Sequence, residues 1–188
     1  PKVVISEISK SKNLDITPSL YSKKANSYFE EIVSRVYLRY NEILSNSNSC
    51  DFDDLLLKTK NILLDNIDVR DKWSNKYKQV IIDEFQDTNP LQFQISNLLT
   101  NNEKSISVVG DPDQSIYSWR HAVPTNILEF KKSYKDCLVV NLDESYRSTQ
   151  PILEAADSII SNNSNRFKRK LWTKNKDGNL IKYNSYSD

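Results

Sequence analysis

The hydrophobic positions of this chain follow two patterns: stripes that recur every three or four residues, and short unbroken runs that stop at acidic residues. The stripe Phe29, Ile32, Val33, Val36, Tyr40, Ile43 and Leu44 predicts an amphipathic helix over 26–44 with a charged outer face. Ser45-Asn46-Ser47-Asn48-Ser49 follows with turn formers and no apolar anchor, so it reads as a loop and a candidate subdomain boundary. Asp51 then opens a second helix ahead of Leu55-Leu56-Leu57. Its carboxylate is placed to cap the first-turn amides, and Asp53 and Asp54 lie where the helix dipole favours negative charge. Three close carboxylates also raise a metal site, but no histidine or further glutamate follows at ligand spacing, and capping is the simpler reading. Asn89-Pro90 reads as an N-cap and first helical residue for a helix through Leu91, Ile95, Leu98 and Leu99. Pro124 starts another through Ile127, Leu128 and Phe130, and Ile152, Ala155, Ala156, Ile159 and Ile160 mark the apolar side of a helix over 151–160. Residues 1–22 show no period and are expected to form a loop with a short helix.

The unbroken runs carry the architecture. Gln79-Val80-Ile81-Ile82 breaks abruptly into Asp83-Glu84, and Ile106-Ser107-Val108-Val109 stops at Gly110-Asp111. Continuous β-rich runs of this length predict buried strands of a parallel sheet, and residues 137–142 read as a further strand. Strands alternating with helices make the fold α/β. Ligands of such sheets bind beyond the carboxyl ends of the strands, so Asp83, Glu84, Asp111 and Gln114 are expected to converge on one crevice.

Composition narrows the classes. The 188 residues can bury one full core or two small ones. No apolar run approaches the roughly 20 residues a membrane span needs, and the first residues lack the apolar core of a signal peptide. Cys50 and Cys137 are far apart and His121 has no cysteine at ligand spacing, which argues against zinc and for two reduced thiols inside a cell, in nucleus, cytoplasm or organelle. A net charge of +1 gives no general electrostatic case for nucleic acid, so any such case rests on particular residues. The basic cluster Arg166-Phe167-Lys168-Arg169-Lys170 could contact phosphates, although charge runs are more often solvated surface. The chain begins at Pro1 and contains no methionine, and it is read as a piece of a longer protein.

A strand ending in Asp-Glu is the arrangement a nucleotide hydrolase uses, one carboxylate serving a metal ion and the other orienting water, although taken alone it also matches many strands that merely end in a polar turn. Here that pair is combined with Gly110-Asp111-Pro112-Asp113-Gln114-Ser115-Ile116-Tyr117-Ser118-Trp119-Arg120, one helix downstream, and with Leu142-Asp143-Glu144-Ser145-Tyr146-Arg147-Ser148-Thr149. With 80–88 as a second motif, 108–120 as a third and 142–149 as a fourth, the chain closely resembles the superfamily 1 DNA helicases of the UvrD, Rep and PcrA type, from about Tyr28 to Thr173.

The resemblance implies a RecA-like parallel sheet of P-loop NTPase type, incomplete here. Residues 1–49 would belong to a helical insertion subdomain, 50–141 to the later part of a first RecA-like domain, and 142–188 to the start of a second. It implies ATP and Mg²⁺ as cofactors, single-stranded DNA and duplex junctions as partners, and 3′ to 5′ translocation. Asp83 would be the metal carboxylate and Glu84 would activate the attacking water. Gln114 would sense the γ-phosphate, Tyr146 would stack on adenine, and Arg147 would be a finger on the γ-phosphate. Tyr117, Trp119 and Arg120 would engage single-stranded DNA by stacking and charge.

Two departures stand out. His121 occupies a position where the family usually has glycine. A phosphate-cradling Gly-x-x-x-x-Gly-Lys-Ser/Thr loop needs two nearby glycines, and the sequence has only Gly110 and Gly178, so the 188 residues alone are expected to be inactive. The alternatives are a helicase-nuclease relative, or a non-enzymatic DNA- or protein-binding module. Intact Asp83-Glu84 and Arg147 weigh against the module, which needs neither a metal carboxylate nor a finger.

Overall fold

The structure is a computed structural model that describes residues 1–100, 105–117, 122–123, 126–134, 136–163 and 169–186. Residues Pro1–Phe130 form one compact unit and Lys131–Asp188 a second. No helix among the described residues is long and apolar enough to cross a membrane.

The first unit opens with α1 (Lys2–Asn13) and α2 (Pro18–Lys24), where the sequence predicted mostly loop. The stripe that builds α1 runs Val4, Ile8, Lys12 at intervals of four, and the last of these is a lysine buried to 0% exposure, so an apolar period is not visible. Asp15, in the left-handed region at φ 58, follows the end of α1, and Thr17 caps α2 by accepting from the Leu20 N–H. Helix α3 (Tyr28–Asn46) is the predicted amphipathic helix, but its buried stripe is narrower than the apolar pattern. Val33 and Tyr37 are fully buried, whereas Phe29, Val36 and Ile43 are exposed. Ile8, Tyr21, Val33 and Tyr37 make one core, with the Tyr21 and Tyr37 rings edge to face and the Tyr37 hydroxyl donating to the Ile16 carbonyl at 3.0 Å.

Helix α4 (Phe52–Asp65) begins with a reciprocal capping box: Asp51 Oδ1 accepts from the Asp54 N–H, and Asp54 Oδ2 accepts from the Asp51 N–H. The cation between these carboxylates is the Lys12 ammonium, 2.7 Å from Asp51 Oδ2 and 2.7 Å from Asp54 Oδ1. Tyr40 donates to Asp51, Asn13 to Asp53, and Asn89 to Asn13, so two adjoining, largely buried sets of polar bonds tie α1, α3 and α4 to the start of the helix that follows Asn89. A buried pair loses far more when one partner is removed than when all are neutralised together. Lys12→Met is therefore expected to lower stability by roughly 3–5 kcal/mol in urea unfolding, and adding Asp51→Asn and Asp54→Asn should recover most of that loss. Burial pushes the Asp51 carboxyl up, but bonds from Lys12, the Asp54 N–H and Tyr40 outweigh it and hold it below its ordinary value. The stabilisation from Asp51 is then complete above the ordinary carboxylate range and is lost as pH falls through the lowered value. The triple variant should accordingly show a flatter acid limb than the native chain.

After α5 (Ile67–Ser74), which the sequence pattern did not single out, come β1 (Gln79–Ile82), α6 (Pro90–Leu98) and β2 (Ser105–Val108). The two strands pair in parallel with Val80 opposite Ile106 and Ile82 opposite Val108, as the unbroken runs predict. Asn89 and Gln92 cap α6 with a second reciprocal box that spans Pro90, its first residue. The expectation of a buried strand is corrected for β1: its residues alternate, and Ile81 is 63% exposed. A parallel strand is buried on both faces only where helices cover both, and no described helix covers the Ile81 side. Helix α7 (Asn126–Ser133) begins beyond Pro124, which lies outside the described residues.

In the second unit, α8 (Gln150–Ile160) is the predicted helix, yet its buried residue is Leu153, while Ile152 and Ile159 of the predicted apolar side are exposed. The strand expected over 137–142 is not formed. Leu138, Val140 and Leu142 are 86%, 67% and 75% exposed, and no described segment pairs with them. A β-rich run without a neighbour has nothing to bond its backbone. Pairing starts later, at a parallel bridge between Glu144 and Trp172.

Candidate active site

Strands β1 and β2 deliver their carboxyl ends to the same edge. The Val109 N–H extends the ladder to the Ile82 carbonyl at 2.8 Å, and the Phe85 N–H returns to the Val109 carbonyl at 2.9 Å. Between these bonds the chain turns through Asp83 and Glu84, both exposed. Glu84 adopts φ 49 and ψ 43, a left-handed conformation that costs a non-glycine residue roughly 1–2 kcal/mol. Two local features offset that cost. The Glu84 N–H donates to Asp83 Oδ1 at 2.9 Å, and the next side chain, Phe85, is fully buried edge-on against Phe93 of α6 and Phe130 of α7. The turn thus anchors an apolar ring inside and leaves both carboxylates at the surface.

On the β2 side, Asp111 caps the short 3₁₀ turn Pro112–Gln114. Its Oδ1 accepts from the Asp113 N–H at 3.0 Å and its Oδ2 accepts from Gln114 Nε2 at 2.7 Å. Gln86, 1% exposed, joins the two strand ends. Its Nε2 donates to Glu84 Oε2 at 2.7 Å, its Oε1 accepts from the Asp111 N–H at 2.9 Å, and its carbonyl accepts from Ser115 Oγ at 3.4 Å. Gly110 leaves the room for this side chain: a Cβ there would stand 2.5 Å from Gln86 Oε1. Glu84, Asp111 and Gln114 are therefore linked in one hydrogen-bonded chain at the carboxyl ends of neighbouring parallel strands, with Asp83 beside them. An exposed carboxylate pair here can hold a hard cation and accept a proton from water, and the Gln114 amide can meet an oxygen ligand.

Of the other residues singled out in the sequence, Tyr117 is 37% exposed just past the 3₁₀ turn. Trp119, Arg120 and His121 lie outside the described residues, as do Arg166, Phe167 and Lys168. Tyr146 and Arg147 belong to the second unit and are both exposed. The Tyr146 hydroxyl donates to Glu144 Oε2 at 2.9 Å, and that carboxylate holds its pKa above the ordinary tyrosine value. Tyr146 as a whole is 85% exposed. The residue that sequence reasoning passed over is Gln86. A polar side chain leaves no mark in an apolar pattern, and the signal available was a glutamine two positions after the acidic pair.

The description of the UvrD/REP helicase N-terminal domain matches residues 2–135. The ATP-dependent DNA helicase PcrA of Leuconostoc citreum is 43% identical over 183 residues, covering 97% of this chain and 24% of that protein. The proteins of the same name from Bacillus subtilis and Staphylococcus aureus are 41% and 42% identical over 183 residues, again 97% of this chain and 25% of theirs. The chain spans about a quarter of the length of the curated relatives it matches. With a family match running from residue 2 to residue 135 of 188, the chain belongs to the UvrD/REP helicase N-terminal domain family.

Proposed function

We propose that the full-length protein carrying this chain is an ATP-dependent DNA helicase that translocates 3′ to 5′ on single-stranded DNA and opens duplex junctions. The observation that carries the reading is the acidic pair Asp83 and Glu84 joined to Gln114 across the ends of two parallel strands, in a member of a helicase family. In this reading Glu84 orients and deprotonates the attacking water, and Gln114 reports the γ-phosphate to the segment with Tyr117, Trp119 and Arg120, which engages the DNA strand. Tyr146 stacks on adenine and Arg147 faces the γ-phosphate. The exposed Asp83 carboxylate fits Mg²⁺, which takes one or two carboxylates alongside substrate phosphates and keeps several waters. When bound, the ion neutralises charge on the phosphates. Residues 1–49 are assigned to part of a helical insertion, 50–141 to the later part of a first RecA-like domain and 142–188 to the start of a second. The relatives are bacterial, which leaves the nuclear alternative without support and makes the cytoplasm, where the DNA lies, the proposed compartment.

The test is strand displacement by the full-length protein on duplexes with either a 3′ or a 5′ single-stranded tail. The expected result is ATP-dependent opening of the 3′-tailed substrate alone. Opening from the 5′ tail would overturn the polarity, and DNA binding without ATP turnover would favour a binding module.

A further inference from the structure

We infer that Gln86 is a positioning residue for ATP hydrolysis: its buried amide fixes the Glu84 carboxylate and couples it, through Asp111, to Gln114. The inference rests on the hydrolytic reading of Glu84. The orientation of the amide is determined by its partners, because an ionised carboxylate only accepts and a backbone N–H only donates. Nε2 must therefore face Glu84 Oε2, at 2.7 Å, and Oε1 must face the Asp111 N–H, at 2.9 Å. Asp111 in turn takes the Gln114 amide on Oδ2 at 2.7 Å. Gln114 is thus joined to the carboxylate that faces water through the Asp111 carboxylate, the Asp111 backbone N–H and the Gln86 side chain.

Two further features set Gln86 apart from a surface bond. At 1% exposure the amide cannot exchange its partners for water. Its place is also reserved by the sequence, since Gly110 is the position where any Cβ would strike Oε1 at 2.5 Å, with the Phe85 and Gln86 backbone nitrogens at 3.1 and 3.3 Å behind it. Glu84 itself is exposed and stands on a left-handed residue, so the Gln86 amide is what restricts the far end of its side chain. Orientation of a catalytic group matters more in the transition state than in nucleotide binding, which separates this role from general support of the fold.

The experiment measures single-stranded-DNA-stimulated ATP turnover by the full-length protein and its Gln86→Glu and Gln86→Met variants, alongside thermal melting. Gln86→Glu keeps the acceptor for the Asp111 N–H and loses the donor to Glu84. At pH 8 its kcat is expected to fall roughly 10- to 100-fold, the worth of one hydrogen bond to a charged group, with KM for ATP little changed; a buried carboxylate lowers the melting temperature at high pH, so turnover is measured at a temperature where the melt at each pH shows the variant folded. Its new carboxyl, buried beside Glu84 and near Asp111, has a raised pKa, and once protonated it donates to Glu84 as the amide does. The ratio of variant to native kcat should therefore rise as pH is lowered from 8.5 to 6, while the Gln86→Met ratio stays low and flat. Native kcat in either variant, a flat Gln86→Glu ratio, or losses that follow the fraction unfolded would overturn the inference and leave Gln86 a packing residue. If the native protein shows no turnover that Glu84→Gln abolishes, the hydrolytic reading fails first and the inference falls with it.

Discussion

Glu84→Gln in the full-length protein is expected to lower the kcat of DNA-stimulated ATP hydrolysis by about 10²–10⁴, the usual worth of a general base, with little change in ATP affinity. The local geometry makes the substitution a clean one. Glu84 is exposed, its φ of 49 is set by the backbone, and the Gln86 amide can donate to a carbonyl oxygen at position 84 as it does to a carboxylate oxygen. Folding and the shape of the strand ends should therefore be retained, and a melting curve checks this. What the amide cannot do is take a proton from water. Asp83→Asn should differ, because a carboxylate serving Mg²⁺ acts on the bound nucleotide in the ground state as well as in the transition state, so its loss should appear in affinity and kcat together. Native-like turnover by Glu84→Gln would remove the base assignment, and a loss confined to ATP affinity would move Glu84 to the binding set.

The elements legible in the sequence are those where a single local rule determines the outcome. Asp51 and Asn89 cap their helices because a short polar side chain ahead of an apolar stripe has one good use, and Asp83 and Gln114 share an edge because two unbroken runs joined by a helix pair in parallel. The rest depends on partners distant in sequence. Lys12 breaks the stripe of α1 because its counter-charges, Asp51 and Asp54, lie some forty residues away. Residues 137–142 carry the composition of a strand, but pairing is a property of a neighbour and none is placed beside them among the described residues. Ile81 stands exposed for a related reason, since burial of the second face of a strand depends on a covering layer rather than on the strand. Gln86 was legible only as a letter in a motif. Its role follows from three bonds that no periodicity encodes.

Arg147 and Tyr146 are adjacent, exposed and expected to have opposite phenotypes. A guanidinium that meets the γ-phosphate as charge develops contributes mainly to the transition state, where such a finger is worth roughly 10³–10⁵ in rate. An adenine stack is felt equally before and during the reaction and so appears as binding. The surroundings of the pair in the second unit suit this division. The Tyr146 hydroxyl is tethered to Glu144, while the residue, 85% exposed, remains open to a flat ligand. Glu144 is itself held by the bridge to Trp172, with the Ser145 N–H on the Trp172 carbonyl at 2.7 Å, so the tether is anchored rather than loose. Arg147→Ala in the full-length protein should lower kcat at least about a hundredfold with a modest change in ATP affinity, whereas Tyr146→Ala should mainly raise KM. Tyr146→Phe separates the ring from its tether: stacking survives, so KM should rise less than in Tyr146→Ala. If the phenotypes of Arg147 and Tyr146 are exchanged, or Arg147→Ala is silent in DNA-stimulated turnover, Arg147 is an ordinary residue before α8 and the charge facing the γ-phosphate must come from elsewhere in the protein.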